Sequence, residues 1–515
     1  MEQDHLHITS WDQHGRGISN YSHQGNSLKI AVPGSIVGEK VTTTPPIKTP
    51  SGREASILEI PLPSPFRTKP QCPHFTVCGG CVWQHLEYEE QLRVKQQWIE
   101  DIFHNNPLIH PIIPSPMPWQ YRNKMEFSFS QDKAGHRFLG LYKSRGRVID
   151  VLSCPISPPW MAETLSCVRA WWEESSLTAY FPKNNSGTLQ TITFREGITT
   201  GDRMVILTLS GNPAFAPKRA QLNQFVECIR KSATPPKGLL SIIARIKQTA
   251  KNRPTQFFEM VLFGPDYFRE CLSIPFVQRE LETQVAPYSL LEAARGKEDT
   301  SVATKTRFFN LAEEQHEVDY FSQPAYKKNR AQLEFQFQIS PQAFFQPNTK
   351  QAVTIYSQVL QMLKLTPEDT VWDLYCGIGI FGMFSAVLAQ SSVGIEISRE
   401  SAYDATTNSK RLGLSNFSIH CGDVATVISS MKKEGTFKKP TAIIVDPPRV
   451  GLSEKALKEI ETLSAQKLIY VSCNPHSQSR DVALLLQQGW KIKAIQPVDQ
   501  FPHTPHIENI IYLEH

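Results

Sequence analysis

At 515 residues, with 40% of them hydrophobic, the chain is too long for one ordinary core and points to about three domains. A formal charge of +5 does not by itself declare a polyanionic partner; no run reaches the roughly 18 apolar residues of a membrane span, and the start MEQDHLHITSWDQ lacks a basic head with an apolar stretch behind it. The expectation is a cytoplasmic, unexported protein without membrane contact, whose ten cysteines serve metal binding or catalysis rather than a disulfide framework.

In chain order, ITSWDQHGRGISNYSHQGNSLKIAVPGSIVGEKV sets short β-branched runs between glycines, which predicts a small barrel. The proline-rich TTTPPIKTPSG and IPLPSPFRTKP then place a boundary near residue 68. Cys72, Cys78 and Cys81 follow, and LEYEEQLRVKQQWIEDIF has the spacing of an amphipathic helix, ended by PIIPSPMPW. From YRNKMEFSFS to about residue 335, strand-like pieces such as LQTITFRE and MVILTLS alternate with helical ones. Residues 211–260 carry nine Lys or Arg against Glu227 and Glu259, an excess that suits either phosphates or a solvated face. The polar stretch 295–330, GKEDTSVATKT onward, reads as an insertion or mobile loop. After residue 335 apolar strands (TVWDLYCG, SVGIEIS, SIHCGD, AIIVDPP, LIYVSCN, IENIIYL) alternate with helices, which predicts a mostly parallel sheet covered on both faces. The expected domains are therefore 1–68, 69–335 and 336–515, with an α/β fold in the last.

Open α/β sheets bind ligands beyond the carboxyl ends of their strands. Here those positions hold Asp373-Leu-Tyr375-Cys-Gly377-Ile-Gly379, then Glu396, Asp423, and Asp446-Pro-Pro-Arg449. A carboxylate about twenty residues after the glycine turn suits the hydroxyls of a ribose. The turn, Gly377-Ile-Gly379-Ile-Phe-Gly382, has the G-x-G-x-x-G spacing but no Walker-type Gly-Lys-Ser/Thr, and the expected ligand is a nucleoside without phosphates, such as S-adenosylmethionine. The next strand, KLIYVSCN, ends on Cys473 at the same edge. A strand cysteine is usually a small core residue, but this one lies one strand from DPPR. Near the C-terminus, DQFPHTPHIE offers Glu508 or a histidine as a base.

DPPRVG, IYVSCNPHS, DQFPHTPHIE and, upstream, SPQAFFQPNT resemble the class I RNA uracil-5 methyltransferases that modify rRNA and tRNA. The resemblance implies a Rossmann-like catalytic domain, with Cys473 as nucleophile and Glu508 as the proton-removing base. It also implies Gln346, Tyr375, Glu396 and Asp446 as cofactor-pocket positions, with Asp446 facing the uracil as well. Carbon 5 of uracil is a poor nucleophile. A thiolate adding to carbon 6 turns the ring into an enolate that can attack a sulfonium methyl, after which a base must remove the carbon 5 proton so that the thiol can leave. Members of the family often carry Asn where this chain has Ile380, which removes a polar contact to the cofactor. An amine methyltransferase, to which Asp-Pro-Pro also belongs, and an RNA-binding assembly factor without turnover are the competing readings.

Cys72-x5-Cys78-Gly-Gly-Cys81 brings three thiols together within ten residues, and Cys154 in VIDVLSCPIS is the natural fourth ligand. The family resemblance implies a 4Fe-4S cluster on these four; zinc suits the same thiolates. Four ligands and this spacing speak against radical chemistry. Cys167, Cys228, Cys271, Cys376 and Cys421 read as structural. VPGSIVGE in the first domain resembles the TRAM barrel, an RNA-binding module, and Tyr121-Arg-Asn-Lys124 matches a stretch of the family's central region that is either an RNA contact or a structural turn. Barrel and cluster together resemble the 23S rRNA branch more than the tRNA branch. The expected partner is a folded RNA with a uridine that can be lifted from its stack, not DNA, and the expected state is a monomer.

Overall fold

The computed structural model describes residues 5–23, 26–143, 146–248, 255–275, 326–328 and 332–515. The insertion expected at 295–330 lies outside the described residues except for the strand Tyr326–Lys328. Among the described residues no helix is long and apolar enough to cross a membrane.

The glycine-punctuated start forms eight short strands between His5 and Leu62, arranged in two sheets. Leu6, Ile8, Ile30, Val32, Val41 and Ala55 fill the space between them. Arg67 closes this unit by a two-pronged bond to the buried carboxylate of Glu39, at 2.6 and 2.7 Å. The chain does not part cleanly near residue 68, because Thr68 donates to the His85 carbonyl (2.9 Å) and the Trp83 indole N–H to that of Gly15 (2.9 Å).

The middle of the chain is a seven-stranded mixed sheet running from Val148–Asp150 at one edge to Gln256–Phe263 at the other. Helices Pro159–Glu174 and Arg219–Ala233 cover one face, burying Trp160, Trp172 and Phe225 against Phe127 and Phe194 of the sheet. Their packing brings Cys167 and Cys228 together, with a Cα separation of 6.0 Å.

In the last third, strands numbered along the chain are β1 Thr370–Leu374, β2 Ser391–Glu396, β3 Phe417–Cys421, β4 Ala442–Val445, β5 Lys467–Ser472, β6 Lys491–Val498 and β7 Glu508–Glu514. Their order across the sheet is 3-2-1-4-5-7-6. β1 to β5 are parallel, so their carboxyl ends share one edge. β7 inserts between β5 and β6 antiparallel to both, pairing Asn509 with Ser472 and Glu508 with Val498. Its first residue therefore lies at the edge where β5 ends. The runs TVWDL and AIIV are buried throughout, as a sheet covered on both faces requires.

Two features join this sheet to what precedes it. The expected boundary at 335/336 falls inside the strand Gln332–Ile339, which pairs with Phe268–Pro275 and buries Leu333, Phe335 and Phe337 in one core with Met204, Ile206 and Val371. The amphipathic helix Tyr88–Ile102 packs Ile99 onto the sheet's other face. Beyond it, His110 and Ile113 donate to the carbonyls of Ile495 and Pro497, so the chain extends the sheet at β6.

That helix also carries Lys95, whose ammonium lies 2.6 Å from Asp499 Oδ1 with both side chains fully buried. Tyr88 donates to the other oxygen of Asp499 at 2.6 Å, and Lys95 also reaches the Phe501 carbonyl at 3.1 Å. Removing one partner of a buried pair strands the other. Lys95→Met is expected to lower the unfolding free energy in urea by about 3–5 kcal/mol, and a loss under about 1 kcal/mol, the range of exposed pairs, would refute this role.

Candidate functional site

Cys473 follows β5 and is half-buried. Helix Pro475–Gln487 starts two residues on, so its N-terminal dipole favours a thiolate there. Burial pushes the thiol up to about 11, and Glu508 and Asp446 push the same way. Arg449 opposes them by its charge and by a side-chain hydrogen bond. The loop that presents Arg449 is held from behind, since Asn474 Nδ2 and Ser477 Oγ donate to the Arg449 carbonyl at 2.9 and 3.0 Å.

Glu508 is 2% exposed at the start of β7. Its carboxyl is held far above the usual range, first by burial and then by Asp446, with Arg449 opposing. The histidines of the same segment differ from it. His503 is buried, stacked on Trp119 with ring centres 3.8 Å apart, and its Nδ1 faces Gln91. His506 is pushed down to about 4 by burial and by Arg449, Lys95, Arg122 and His14. Of the bases considered from sequence, Glu508 is the one whose charge couples to Cys473.

The loop after β1 crosses the same edge. Tyr375 adopts a left-handed φ of 65°, as do Gly377 (55°) and Gly379 (81°). A side chain at Gly379 would strike the Phe417 ring, so that glycine is needed for packing, whereas nothing lies within 4 Å of a Cβ placed at Gly377. Both oxygens of Glu396 are anchored, accepting from Gly377 N (2.9 Å) and Ser398 N (2.7 Å). Gln346 is buried, its carbonyl accepting from Asn123 Nδ2 (2.8 Å) and its Oε1 from Gln500 Nε2 (3.1 Å). Ile380 lies in the core rather than on the open side of the loop. Asp423, part of the expected series, caps the helix Val424–Glu434 through Thr426 N at 3.1 Å.

Asp373 opens the glycine turn at the expected edge but is not among the expected cofactor residues. It sits in the apolar strand β1, is fully buried, accepts from Gly382 N at 2.8 Å through Oδ2, and has no hydrogen-bond partner on Oδ1 among the described residues. Burial, then Asp446 and Glu396, push it up to about 8. The signal was available, because a carboxylate inside TVWDL demands a partner. Asp373, Asp446, Glu396 and Glu508 thus form an acidic patch whose charge a cationic ligand would balance. S-adenosylmethionine, with a sulfonium and an ammonium, fits that demand.

Cys72, Cys78, Cys81 and Cys154 are free thiols lining one cavity of about 470 Å³, with Arg122 in its wall. Burial pushes Cys81 up to about 11 and Cys154 up to about 12, and the thiols raise one another further. The donors suit a thiolate-bound metal centre in kind and in place. Among the described residues, however, no group of three or more His, Cys, Asp or Glu is drawn into a metal-holding arrangement. The four thiols expected from spacing share one cavity. Nor is the basic excess of 211–260 all free, since Arg245 pairs with Glu259 (2.8 Å) and Arg230 with Glu227 (3.2 Å).

Residues 316–515 match the family model described as tRNA (Uracil-5-)-methyltransferase. An uncharacterized RNA methyltransferase of Protochlamydia amoebophila is 40% identical over 492 residues, covering 94% of this chain and 99% of its own. One from Chlamydia trachomatis is 30% identical over 451 residues, covering 86% and 98%. The fold is similar to that of Pyrococcus abyssi tRNA (uracil-54, C5)-methyltransferase in complex with S-adenosyl-L-homocysteine, with a TM-score of 0.67 at 21% identity over the full length of both chains. With the sheet order and the acidic edge just described, these likenesses lead to one conclusion: the chain belongs to the family of S-adenosylmethionine-dependent RNA uracil-5 methyltransferases.

Proposed function

We propose that the enzyme methylates carbon 5 of a uridine in 23S rRNA through a transient bond between Cys473 Sγ and carbon 6 of the ring. The observation that carries this reading is the antiparallel entry of β7, which sets Glu508 at the edge where β5 delivers Cys473 and β4 delivers Asp446 and Arg449.

S-adenosylmethionine supplies an electrophilic methyl group on a sulfonium. Cys473 adds to carbon 6 as the thiolate, with Arg449 offsetting the charge, and electron density moves to carbon 5. Once the methyl group is on carbon 5, Glu508 takes the proton from that carbon and the ring expels the thiolate. A buried carboxyl with a raised proton affinity is suited to that removal. Gln346, Tyr375, Glu396 and Asp446 hold the cofactor in this reading, Asp446 reaching the uracil as well. Cys72, Cys78, Cys81 and Cys154 would hold a 4Fe-4S cluster in this reading, one that would serve folding or RNA contact, since no step needs an electron.

The rRNA assignment is supported by the small β unit and four-cysteine cavity that precede the catalytic sheet. A tRNA substrate is favoured by the description of the family model and by the tRNA named for the Pyrococcus abyssi enzyme. The protein acts in this account as a cytoplasmic monomer. Total RNA from a deletion strain, incubated with the purified enzyme and labelled methyl donor, should gain 5-methyluridine in 23S rRNA, and gain confined to tRNA would overturn the rRNA reading. Cys473→Ala should abolish the gain, and Glu508→Gln should slow it by about 10²–10⁴-fold. Any variant lacking Cys473 that still formed 5-methyluridine at the parental rate would overturn the mechanism.

The thiol also has a testable pH profile. Its alkylation by iodoacetamide should quicken about tenfold per pH unit from 7 towards 10, because only the thiolate reacts. Glu508→Gln removes a charge that raises Cys473 and should move the curve to lower pH; Arg449→Gln should move it higher. Shifts in the opposite directions would contradict the electrostatics described.

A further inference from the structure

The acidic patch gathers more carboxyl groups than the protein has facing cations to balance if they ionise. β1 and β4 are adjacent and parallel, with Leu374 opposite Val445, so Asp373 near the end of one and Asp446 just after the other face each other across the sheet edge. Glu396 approaches from β2, and Glu508 reaches Asp446 from β7. Tyr356, on helix Thr349–Leu363, faces Asp446, Asp373 and Glu508. Cys376 lies against Asp373 and Glu396, and Cys473 against Asp446. Helix Ile380–Leu388 contributes only the Gly382 N–H, on the far oxygen of Asp373. Among the described residues the cation facing this group is Arg449, and it faces Glu508 and Cys473 rather than Asp373.

A fully buried carboxylate oxygen with no partner is costly if the group is charged, and a buried carboxyl answers by holding its proton. Cations can make it worthwhile to release that proton. The methyl donor and its demethylated product, S-adenosylhomocysteine, have nearly the same shape and differ by one methyl group and the positive charge it places on sulfur. Apolar contacts and ribose hydrogen bonds cannot tell them apart, whereas a carboxyl free to ionise can.

We propose that Asp373, with Asp446 beside it, reads the charge on the cofactor sulfur, giving a proton to solvent when the sulfonium enters and recovering one when the neutral thioether is left. Asp373 is in this role a specificity residue that favours donor over product. The proposal rests on the cofactor site assigned under the proposed function. The proton balance closes: a neutral carboxyl and a cationic donor become a carboxylate beside a cation plus one proton in the buffer. After methyl transfer the sulfur is neutral, and the carboxylate takes a proton back.

Asp373, raised first by burial up to about 8, sets the window. A group protonated in the free enzyme and ionised in the complex weakens binding as pH falls below its free value. Donor affinity should therefore rise from pH 6 to pH 8, by up to about tenfold per unit, while product affinity stays nearly flat.

Titration calorimetry of the full-length protein at pH 7, in phosphate and in Tris, measures the protons released per ligand bound. S-adenosylmethionine should release close to one and S-adenosylhomocysteine close to none. Asp373→Asn keeps an acceptor for Gly382 N–H; it should abolish the release and cut the preference for donor over product by about tenfold. If that variant does not fold, the pH series of both affinities in the parent protein decides. Equal proton release for the two ligands, or none for the donor, overturns the inference while leaving the cofactor site standing. Failure of both ligands to bind overturns the site assignment and this inference with it.

Discussion

A thiol and the base that must act after it have to meet at one edge of one sheet, and in this fold that depends on the direction of a single strand. β7 enters antiparallel between β5 and β6, so its first residue, Glu508, lies where β5 ends and Cys473 begins the next loop. Run parallel, the seven residues of that strand would carry Glu508 to the opposite edge, about 20 Å away at roughly 3.3 Å per residue. Everything else serves to fix that turn. Lys95 and Tyr88 grip Asp499, Gln351 donates to its carbonyl, and Val82 and Trp83 donate to the carbonyl of His503. The segment before β7 is thus bound by parts of the chain about 150 to 420 residues earlier.

The second organising fact is a shortage of positive charge. Asp373, Asp446, Glu396 and Glu508 converge with Arg449 as the facing cation among the described residues, and burial raises the proton affinity of Asp373, Asp446 and Glu508. The same burial raises Cys473. A site of this kind is at rest when protonated and becomes reactive when a cationic ligand arrives, which links cofactor entry to the ionisation of the groups around it.

Much of the catalytic third was legible because its physics is local. Apolar runs ending in polar residues mark the strands and the edge they share, and TVWDL, AIIV and LIYVS formed the strands expected. What was not legible depended on distant partners. No spacing announces that Gln332–Ile339 shares a core with Met204 and Val371, so the 335/336 boundary was drawn through a strand. Nor does it reveal that Asp423 is a helix cap or that Cys167 meets Cys228. Asp373 was visible as a carboxylate in an apolar strand, yet its weight as an unpartnered group emerged only with its neighbours in place. The cysteines of 72–81 and Cys154 did gather at one cavity, which three thiols beside Gly-Gly and a distant fourth had led one to expect.

The central claim, a bond from Cys473 sulfur to the pyrimidine, is tested most directly by trapping it. With fluorine in place of the carbon 5 hydrogen, the final proton removal is blocked and the adduct should persist. Incubating the full-length enzyme and S-adenosylmethionine with 5-fluorouridine-substituted substrate RNA should give a complex stable to denaturing electrophoresis, and mass spectrometry should locate the methylated nucleotide on Cys473. Methylation of ordinary RNA at a normal rate, with no covalent complex on the fluorinated strand, would contradict the account.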